Sequence, residues 1–419
     1  MGGALTRMLG GITASGAVGS QTPSLRAQGY RSANVSYTLD TKIPLNTDDF
    51  DPSSIFDTTN NYHLPTLSGY YLVGGFAELT AVAAIEAYAH NSVAGVSRNL
   101  GSFNNSSQQQ GSGGAALFYC DGAADTIELR ASRGGTIQGT AVHSFLNALG
   151  PFNKTAFQVA SAYKATSASG SSGSLVKLAV DTVSFDPSSI FSSANSRFQP
   201  TLAGYYIVGA RVEDTTLGQA IADLVIYKNG SAYQKIGCKA SAKNVAMGGH
   251  CIVYLNGSTD YVEAYFDGST LRQPSFQTFF EIVGPFNATV AISYLSGSGS
   301  LSSGTTSKVT QDATLVDTSS IWNSTNKRFV PNAAGYYWCS GRMECTTEAT
   351  HELVMYKNGA TLSVIGGYSQ SNTYGLNGDG VLVYCNGSTD YIELYSYRSS
   401  SGTLVTGSDK TWFAMVGPF

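Results

Sequence analysis

The chain has 419 residues, of which 42% are hydrophobic and only 12% are charged. This length suggests two to four domains, each large enough to bury a core. The formal net charge of −4 provides no long-range attraction for nucleic acid or anionic lipid, so we expect neither partner.

Residues 1–29 are rich in Gly, Ala and Ser. This composition predicts a flexible tail that becomes ordered only against another molecule. The segment lacks the continuous apolar core of a signal peptide, and no stretch of the chain approaches the roughly 20 apolar residues that a membrane span needs. We therefore predict an N-terminal tail or anchor, no classical secretion signal and no membrane partner.

Internal repetition is the strongest signal in the sequence. Three related segments read FDPSSIFDTTNNYHLPTLSGYYLVG from Phe50, FDPSSIFSSANSRFQPTLAGYYIVG from Phe185 and VDTSSIWNSTNKRFVPNAAGYYWCS from Val316. Each copy closes on the triplet GPF. The unit is roughly 133 residues long, a common domain size and far too long for a solenoid repeat. We predict three domains, here named repeat 1 (residues 30–152), repeat 2 (153–286) and repeat 3 (287–419).

Each repeat has the hydrophobic period of β-strands. In CIVYLNGSTDYVEAYF, Cys251, Val253 and Leu255 lie on one face, and NGST followed by residues 261–266 predicts a hairpin. The YKNG of repeats 2 and 3 predicts another hairpin, and FQTFFEIVGPF predicts a closing strand that ends at Gly-Pro. No window of about eleven or more residues has a convincing helical stripe, so we predict three all-β sandwiches.

A fixed order of motifs extends over residues 30–419: an apolar first strand, a segment with Pro and Gly-Tyr-Tyr, Lys-Asn-Gly, Asn-Gly-Ser-Thr-Asp-Tyr and a closing aromatic strand. This order resembles the jelly-roll domains of the complement globular-head and tumour-necrosis-factor superfamily. The resemblance implies jelly rolls that pack in threes around an axis, with aromatic flanks buried between them. The chain departs from the family because it lacks a collagen-like stem, and repeat 1 has AHNS at Ala89 instead of Lys-Asn-Gly.

The connections between repeats are short. After Phe152 and Phe286 the next first strand begins almost at once. If both termini lie at the same end of each domain, as the resemblance implies, such a connection joins neighbouring bases. A connection of a few residues cannot span the height of a domain, which is tens of Å, because extended chain covers only about 3.4 Å per residue. We therefore favour an intrachain pseudo-trimer with the repeats side by side over a homotrimer of chains with the repeats in tiers.

The six cysteines are predicted to be free buried thiols rather than a disulfide framework. Cys339 aligns with Val73 and Val208, so it behaves as a small hydrophobe. Cys339 and Cys345 would lie about 20 Å apart on one strand and cannot bridge each other. Free thiols indicate assembly in a reducing compartment.

Catalytic motifs are lacking, so we predict that the protein is not an enzyme. His63 aligns with Phe198 and Phe329 and is predicted to be a core or rim residue. The other histidines are His90, His143, His250 and His351. None of these four has a carboxylate or nucleophile at a recognisable spacing, and the chain has no HExxH, GxSxG, P-loop or CxxC motif.

Carboxylates recur at three aligned places: Asp125 and Glu128, Asp260 and Glu263, and Asp390 and Glu393. We expect a turn aspartate that binds its own backbone amides and an exposed strand glutamate. In the alternative, Glu128, Glu263 and Glu393 approach one another about a three-fold axis and need a cation such as calcium, or lysines such as Lys228 and Lys357. No other cofactor is expected. The acidic segment at Asp51 is predicted to be a Pro-Ser-Ser turn capped by that carboxylate.

The stretches that do not align are predicted to be loops rich in Ser, Asn, Gly, Gln and Tyr. This composition is typical of recognition surfaces on a rigid β scaffold, although unconstrained loops also drift polar. The candidate binding residues are Asn104, Gln109, Lys243, Tyr368, Tyr374 and Tyr397.

These patterns favour a structural protein on the surface of a bacteriophage virion, assembled in the host cytoplasm. Capsid decoration, head fibre and tail fibre all remain open. We expect residues 1–29 to contact other virion proteins, and the loops to contact a host-surface glycan or protein or to serve no binding role. Two alternatives remain: a secreted recognition protein of complement-head type, and a carbohydrate-active enzyme with paired carboxylates about 5 to 9.5 Å apart.

Overall fold

The computed structural model of the chain describes residues 23–80, 84–104, 110–165, 168–169, 173–213, 223–237, 246–268, 270–271 and 277–419. Every regular element in these ranges is a β-strand, as the hydrophobic period predicts. Within the same ranges no helix is long and apolar enough to cross a membrane.

Repeat 1 and the residues just before it form two antiparallel sheets. The strands are β1 (Leu25–Tyr30), β2 (Val35–Tyr37), β3 (Thr47–Phe50), β4 (Phe56–Asp57), β5 (Tyr62–His63), β6 (Gly69–Thr80), β7 (Ala84–Asn91), β8 (Val96–Asn104), β9 (Gln110–Cys120), β10 (Ile127–Ala131), β11 (Gly135–Ile137) and β12 (Phe145–Phe152). One sheet has the order β2-β11-β6-β12-β1-β3, with β9 also paired to β6, and the other has the order β4-β5-β10-β7-β8.

The predicted tail boundary at residue 29 is wrong. Strand β1 begins at Leu25 and pairs with both β12 and β3. Its alternate side chains are apolar enough to join the core, and Leu25 and Ala27 are buried there. Residues 1–22 of the predicted tail lie outside the described part of the chain.

Repeat 2 has the same arrangement. Its strands are β13 (Gln158–Tyr163), β14 (Ala168–Ser169), β15 (Val176–Lys177), β16 (Thr182–Phe185), β17 (Phe191–Ser192), β18 (Arg197–Phe198), β19 (Ala203–Glu213), β20 (Leu224–Lys228), β21 (Ser231–Lys235), β22 (Ala246–Asn256), β23 (Val262–Phe266), β24 (Thr270–Leu271) and β25 (Phe279–Phe286). The sheets have the orders β16-β13-β25-β19-β22 and β17-β18-β23-β20-β21, with β15 on β23 and a separate pair β14-β24.

Repeat 3 joins its two sheets through long strands. Its strands are β26 (Thr289–Tyr294), β27 (Gly299–Leu301), β28 (Thr305–Lys308), β29 (Ala313–Asp317), β30 (Trp322–Asn323), β31 (Arg328–Phe329), β32 (Ala334–Lys357), β33 (Ala360–Asn386), β34 (Ile392–Arg398), β35 (Gly402–Leu404) and β36 (Trp412–Gly417). One end of β32 pairs with β36 and the other end with β34, so the same strand serves both sheets.

The chain is thus all-β and built of jelly-roll sandwiches, in which successive strands cross between sheets. The YKNG hairpins are confirmed, because β20 pairs with β21 and Lys357 pairs with Ala360. The hairpin predicted at NGST is wrong. Strand β22 pairs with β19 in one sheet, whereas β23 pairs with β20 in the other. Alternating apolar residues indicate a strand but do not select its partner.

The closing strands continue through Gly-Pro, which corrects another expectation. After a register shift, Phe152 pairs with Tyr70 and Phe286 pairs with Tyr205. In repeat 3, the amide of Phe419 donates to the carbonyl of Tyr336 at 2.8 Å. A bulge absorbs the Gly-Pro step, so the pairing resumes beyond it.

The three GPF ends lie in one aromatic cluster. The ring of Phe286 lies 5.8 Å from that of Phe152 and 5.4 Å from that of Phe419, centroid to centroid. Tilted and edge-on rings at these distances attract one another in addition to burying apolar area. Stacked tiers would keep these three ends apart, so the cluster supports side-by-side packing.

Further contacts join the repeats in pairs. Tyr70 of repeat 1 packs against Phe185 of repeat 2, and Tyr336 of repeat 3 packs against Phe50 of repeat 1, both as tilted rings with 4.6 Å between centroids. Repeat 2 meets repeat 3 where the amide of Lys235 donates to a carbonyl of residue 409 at 3.2 Å. Each repeat therefore contacts both of the others.

The five described cysteines are placed as predicted. Cys120, Cys251, Cys339, Cys345 and Cys385 are free and buried. Burial raises the pKa of each of these thiols, so they stay protonated and behave as apolar side chains. Cys238 lies outside the described residues.

Candidate functional site

The predicted binding residues do not form one described surface. Gln109 and Lys243 lie outside the described residues. Asn104 and Tyr368 lie in strands β8 and β33 rather than in loops.

Tyr374 and Tyr397 also lie in strands, in β33 and β34, and both are half-buried. The loop assignment of these residues is wrong, because the Ser- and Tyr-rich segments of repeat 3 extend the sheet. A binding role for any of these residues stays a prediction.

The three recurring glutamates do not converge. Glu128 pairs with Lys42 and Arg130, Glu263 with Lys177, and Glu393 with Lys308. All three carboxylates are buried rather than exposed as predicted. A buried carboxylate needs a partner, and an aligned lysine of the same repeat provides it. A shared cation site of these glutamates is therefore wrong.

The turn aspartates have their predicted role. The Oδ2 atom of Asp260 accepts from the amide of Asn256 at 3.1 Å, and its Oδ1 atom accepts from Asn229 at 2.7 Å. Lys228 lies 3.0 Å from the same carboxylate. Asp51 accepts from the amides of the turn that follows it, at 3.0 and 2.8 Å. These carboxylates hold turns together.

His143 and His250 have carboxylate partners that the sequence spacing does not reveal. His143 contacts Glu78, with 2.5 Å between Nδ1 and Oε2. His250 lies between Asp379 and Glu281, with distances of 2.6 Å from Nδ1 and 3.0 Å from Nε2. Both pairings join residues far apart in the sequence, so no local spacing could have predicted them.

The cluster around His250, here named the axial cluster (His250, Glu281, Asp379), lies where all three repeats meet. His250 and Glu281 belong to repeat 2 and Asp379 belongs to repeat 3, and all three are almost completely buried. The Oε1 atom of Glu281 also accepts from the amide of Leu117 in repeat 1 at 3.0 Å. Burial lowers the pKa of His250, but the two carboxylates outweigh burial and raise it to about 9. The imidazole is therefore charged at neutral pH and bridges two anions.

The axial cluster is asymmetric. His250 pairs with Gly209 in repeat 2, and at the equivalent point of repeat 1 Ala115 pairs with Gly74. In repeat 3, Asp379 and its neighbour lie at a bulge of β33. A Cβ added to Gly74 would lie only 2.0 Å from a backbone oxygen of residue 380. The axial cluster therefore has room for large side chains from some repeats, such as His250, but not for one at Gly74.

His63 behaves in the opposite way and is a core residue, as predicted. It is fully buried, and its Nε2 atom lies 3.0 Å from the carbonyl oxygen of Leu146. Burial lowers its pKa to about 4, so this ring is neutral at pH 7.

A cleft of about 550 Å³ lies between repeats 1 and 2. Its walls include Tyr70, Arg98, Tyr119, Asp125, Tyr163 and Phe185. Tyr119 is half-exposed, so an aromatic face is available beside charged groups. In repeat 2, the hydroxyl of Tyr233 on β21 donates to the carbonyl of Ile252 on β22 at 3.0 Å. Ile252 is the counterpart of Leu117, which lies on the cleft wall.

The cleft has the chemistry of a binding site. Pockets for small ligands combine aromatic walls with a few polar groups. The rings of Tyr70, Tyr119 and Phe185 offer apolar faces, and Arg98 and Asp125 lie in the wall as largely buried charged groups. The carboxylate of Asp125 also accepts from the amide of Asp121 at 2.8 Å.

Comparisons with known proteins identify similar structures only. No known protein family and no curated protein matches the chain. Similar solved structures include murine APRIL at pH 8.0, which has 13% identity, a TM-score of 0.26 and coverage of 30% of this chain and 98% of that one. Another is the Eiger TNF of S. frugiperda, with 14% identity, a TM-score of 0.26 and coverage of 30% and 92%. The jelly-roll assignment rests on the strand pairing described above.

Proposed function

We propose that this protein is a non-enzymatic structural component of a bacteriophage virion surface, as a capsid decoration, a head fibre or a tail fibre. The observation that carries the proposal is the contact between three unequal repeats of one chain. The aromatic cluster of the GPF ends and the axial cluster both span repeats. One chain with such contacts forms a head of three domains, and one attachment segment per chain is enough to hold that head on the virion.

The thiols support assembly in the host cytoplasm. Five buried free cysteines match a reducing compartment, and they count against the secreted recognition protein. The third alternative, a carbohydrate-active enzyme, needs two carboxylates across a cleft. Asp125 is the only carboxylate on the described walls of the cleft.

The attachment is proposed to use the N-terminal segment. Strand β1 places residues 25–30 in the first sandwich, so the contact with other virion proteins falls to the residues before it. Their Gly-, Ala- and Ser-rich composition suits a segment that contacts a partner.

Purified particles test this function. We expect the protein to copurify with the virion and an antibody label to appear on the particle surface in electron micrographs. A variant without residues 1–22 is expected to keep the melting temperature of the full chain but to be missing from particles. Absence of the full chain from particles, with the protein found outside the cell, would favour the secreted alternative.

The arrangement of the repeats has its own test. A native mass equal to one chain of 44.0 kDa is the result expected of an intrachain pseudo-trimer. An obligate trimer of chains would contradict this arrangement but would not contradict the virion role.

We also propose that the cleft between repeats 1 and 2 binds a glycan of the host surface. The exposed ring of Tyr119 and the nearby Arg98 and Asp125 carry this second proposal. A glycan panel probed with the full chain tests it. Tyr119→Ala is expected to abolish capture, whereas Tyr254→Ala, the exposed counterpart in repeat 2, is not. Equal loss in both variants would count against the cleft.

A further inference from the structure

A second cluster of metal-ligating side chains lies where repeat 1 meets repeat 3. It is here named the junction cluster and consists of Glu78, His143 and Glu352. One ligand atom from each residue lies within 4.8 Å of those of the other two. Glu78 is on β6 and buried, His143 is in the turn before β12, and Glu352 is on β32. The cluster therefore brings together three distant parts of the chain.

The junction of repeats 3 and 2 provides an internal comparison. There, the amide of Lys235 donates to the carbonyl of Asp409, and at the junction of repeats 1 and 3 the amide of Val364 donates to the carbonyl of Val142. The two hydrogen bonds are equivalent, with distances of 3.2 and 3.0 Å. Lys235 thus corresponds to Val364. The acceptors Asp409 and Val142 also correspond, and so do the residues that follow them, Lys410 and His143.

The acidic residues also correspond. Glu344 and Asp223 are the counterparts of Glu78 and Glu352. The Nζ atom of Lys235 lies 2.6 Å from Asp223 Oδ2 and 3.7 Å from Glu344 Oε2, so one ammonium group bridges the two acids.

Arg342 adds a second cation at this junction, 2.8 Å from Glu344. Phe76 takes its place in repeat 1. The junction of repeats 1 and 3 therefore keeps both acids but replaces a lysine by valine, a lysine by histidine and an arginine by phenylalanine.

Two carboxylates at a largely buried place need positive charge. Glu78 and Glu352 contribute two carboxylates to the junction cluster, and carboxylates at such a place are costly when no positive charge balances them.

We propose that Glu78, His143 and Glu352 bind a divalent transition-metal ion, with zinc as the best match, which links repeat 1 to repeat 3. One imidazole and two carboxylates form a set that zinc accepts, with a water as fourth ligand. Calcium is a poorer match, because it prefers six to eight oxygen ligands. Ligands about 2.1 Å from one ion lie at most about 4.2 Å apart, so binding requires only a small rotation of these side chains.

Zinc titration of the full chain tests the site, with calorimetry for stoichiometry and the melting temperature as a second readout. We expect one zinc per chain, a higher melting temperature with zinc, and a weaker response to calcium. Glu352→Gln and His143→Gln are expected to weaken zinc binding by at least the roughly 10–100-fold that loss of even an outer-shell partner costs. Asp223→Asn, the counterpart change at the other junction, is expected to leave zinc affinity unchanged.

A lysine provides the sharpest variant. Val364→Lys places an ammonium group where Lys235 has one, so we expect it to raise the melting temperature without metal and to abolish the response to zinc. Circular dichroism checks that every variant is folded.

Three results would overturn the site: no saturable binding, unchanged binding in both ligand variants, or cobalt(II) spectra with thiolate charge-transfer absorption. The last result would assign the ion to a cysteine.

Discussion

The three repeats meet in two clusters that differ in symmetry: the aromatic cluster of the GPF ends, here named the GPF cluster (Phe152, Phe286, Phe419), and the axial cluster. At the GPF ends each repeat contributes the same residue, so Phe152, Phe286 and Phe419 form a set that three identical chains could also make. At the axial cluster one histidine bridges two carboxylates from two repeats. Identical chains would place three equal residues at that level. The comparison indicates that joining the repeats in one chain allowed their contacts to become unequal.

The largest expected effect is the loss of the bridging cation. His250→Ala removes the imidazolium that Asp379 and Glu281 share in the buried axial cluster, which costs about 3–5 kcal/mol of unfolding free energy. Urea unfolding measures this loss. His90→Ala, at a half-buried histidine, is the control and is expected to stay within about 1 kcal/mol of the parent chain. A similar small loss for His250→Ala would mean that the axial cluster contributes little.

The pH dependence of stability follows from the same histidine. The pKa of His250 is raised to about 9 in the folded chain, above the value near 6.5 of an unfolded histidine. Its contribution is therefore complete below pH 6.5 and disappears as the pH rises through 9. We expect a loss of about 2–3 kcal/mol between pH 7 and pH 9, measured by urea unfolding. A chain with His250→Gln should have a flatter profile in this window, and an equal slope in both chains would refute the assignment.

His63 should respond in the opposite direction. Its folded pKa is lowered to about 4, so its contribution is complete above pH 6.5 and is lost as the pH falls through 4. His63→Phe introduces the residue that repeats 2 and 3 have at this position. We expect this variant to lose less stability than the parent chain between pH 6 and pH 4, as measured by thermal melting. Parallel melting curves of the two proteins across this range would contradict the neutral buried state.

The smallest expected effect tests the equality of the GPF cluster. Phe152→Leu and Phe286→Leu each keep an apolar side chain but lose ring contacts, which costs about 1 kcal/mol. Because the two positions are equivalent, we expect their losses in urea unfolding to agree within about 0.5 kcal/mol. A much larger difference between them would show that the GPF cluster is as unequal as the axial cluster.

Features that depend on neighbouring residues were predictable from the sequence. The strand period, the YKNG hairpins and the turn at Asp51 all depend on a few consecutive side chains and the backbone amides beside them. The burial of His63 was predictable for a related reason, because the repeats supplied an internal alignment in which phenylalanine replaces it.

The candidate sites were much less predictable. The loop assignment of Tyr397 failed because polar composition does not separate a loop from an exposed strand face. The partners of His143 and His250 were not predictable, because side chains that meet across a junction between repeats have no characteristic spacing in the sequence. His250 and Asp379 are 129 residues apart.

The amino-acid sequence alone indicated that the chain is built of strands, that its pattern occurs three times and that its cysteines behave as apolar residues. These properties follow from local hydrogen bonding and from side-chain polarity. The folded structure was needed to show that NGST connects two sheets instead of closing a hairpin. It was also needed to show which acids meet which cations between repeats, because such pairs depend on how whole sandwiches pack against one another.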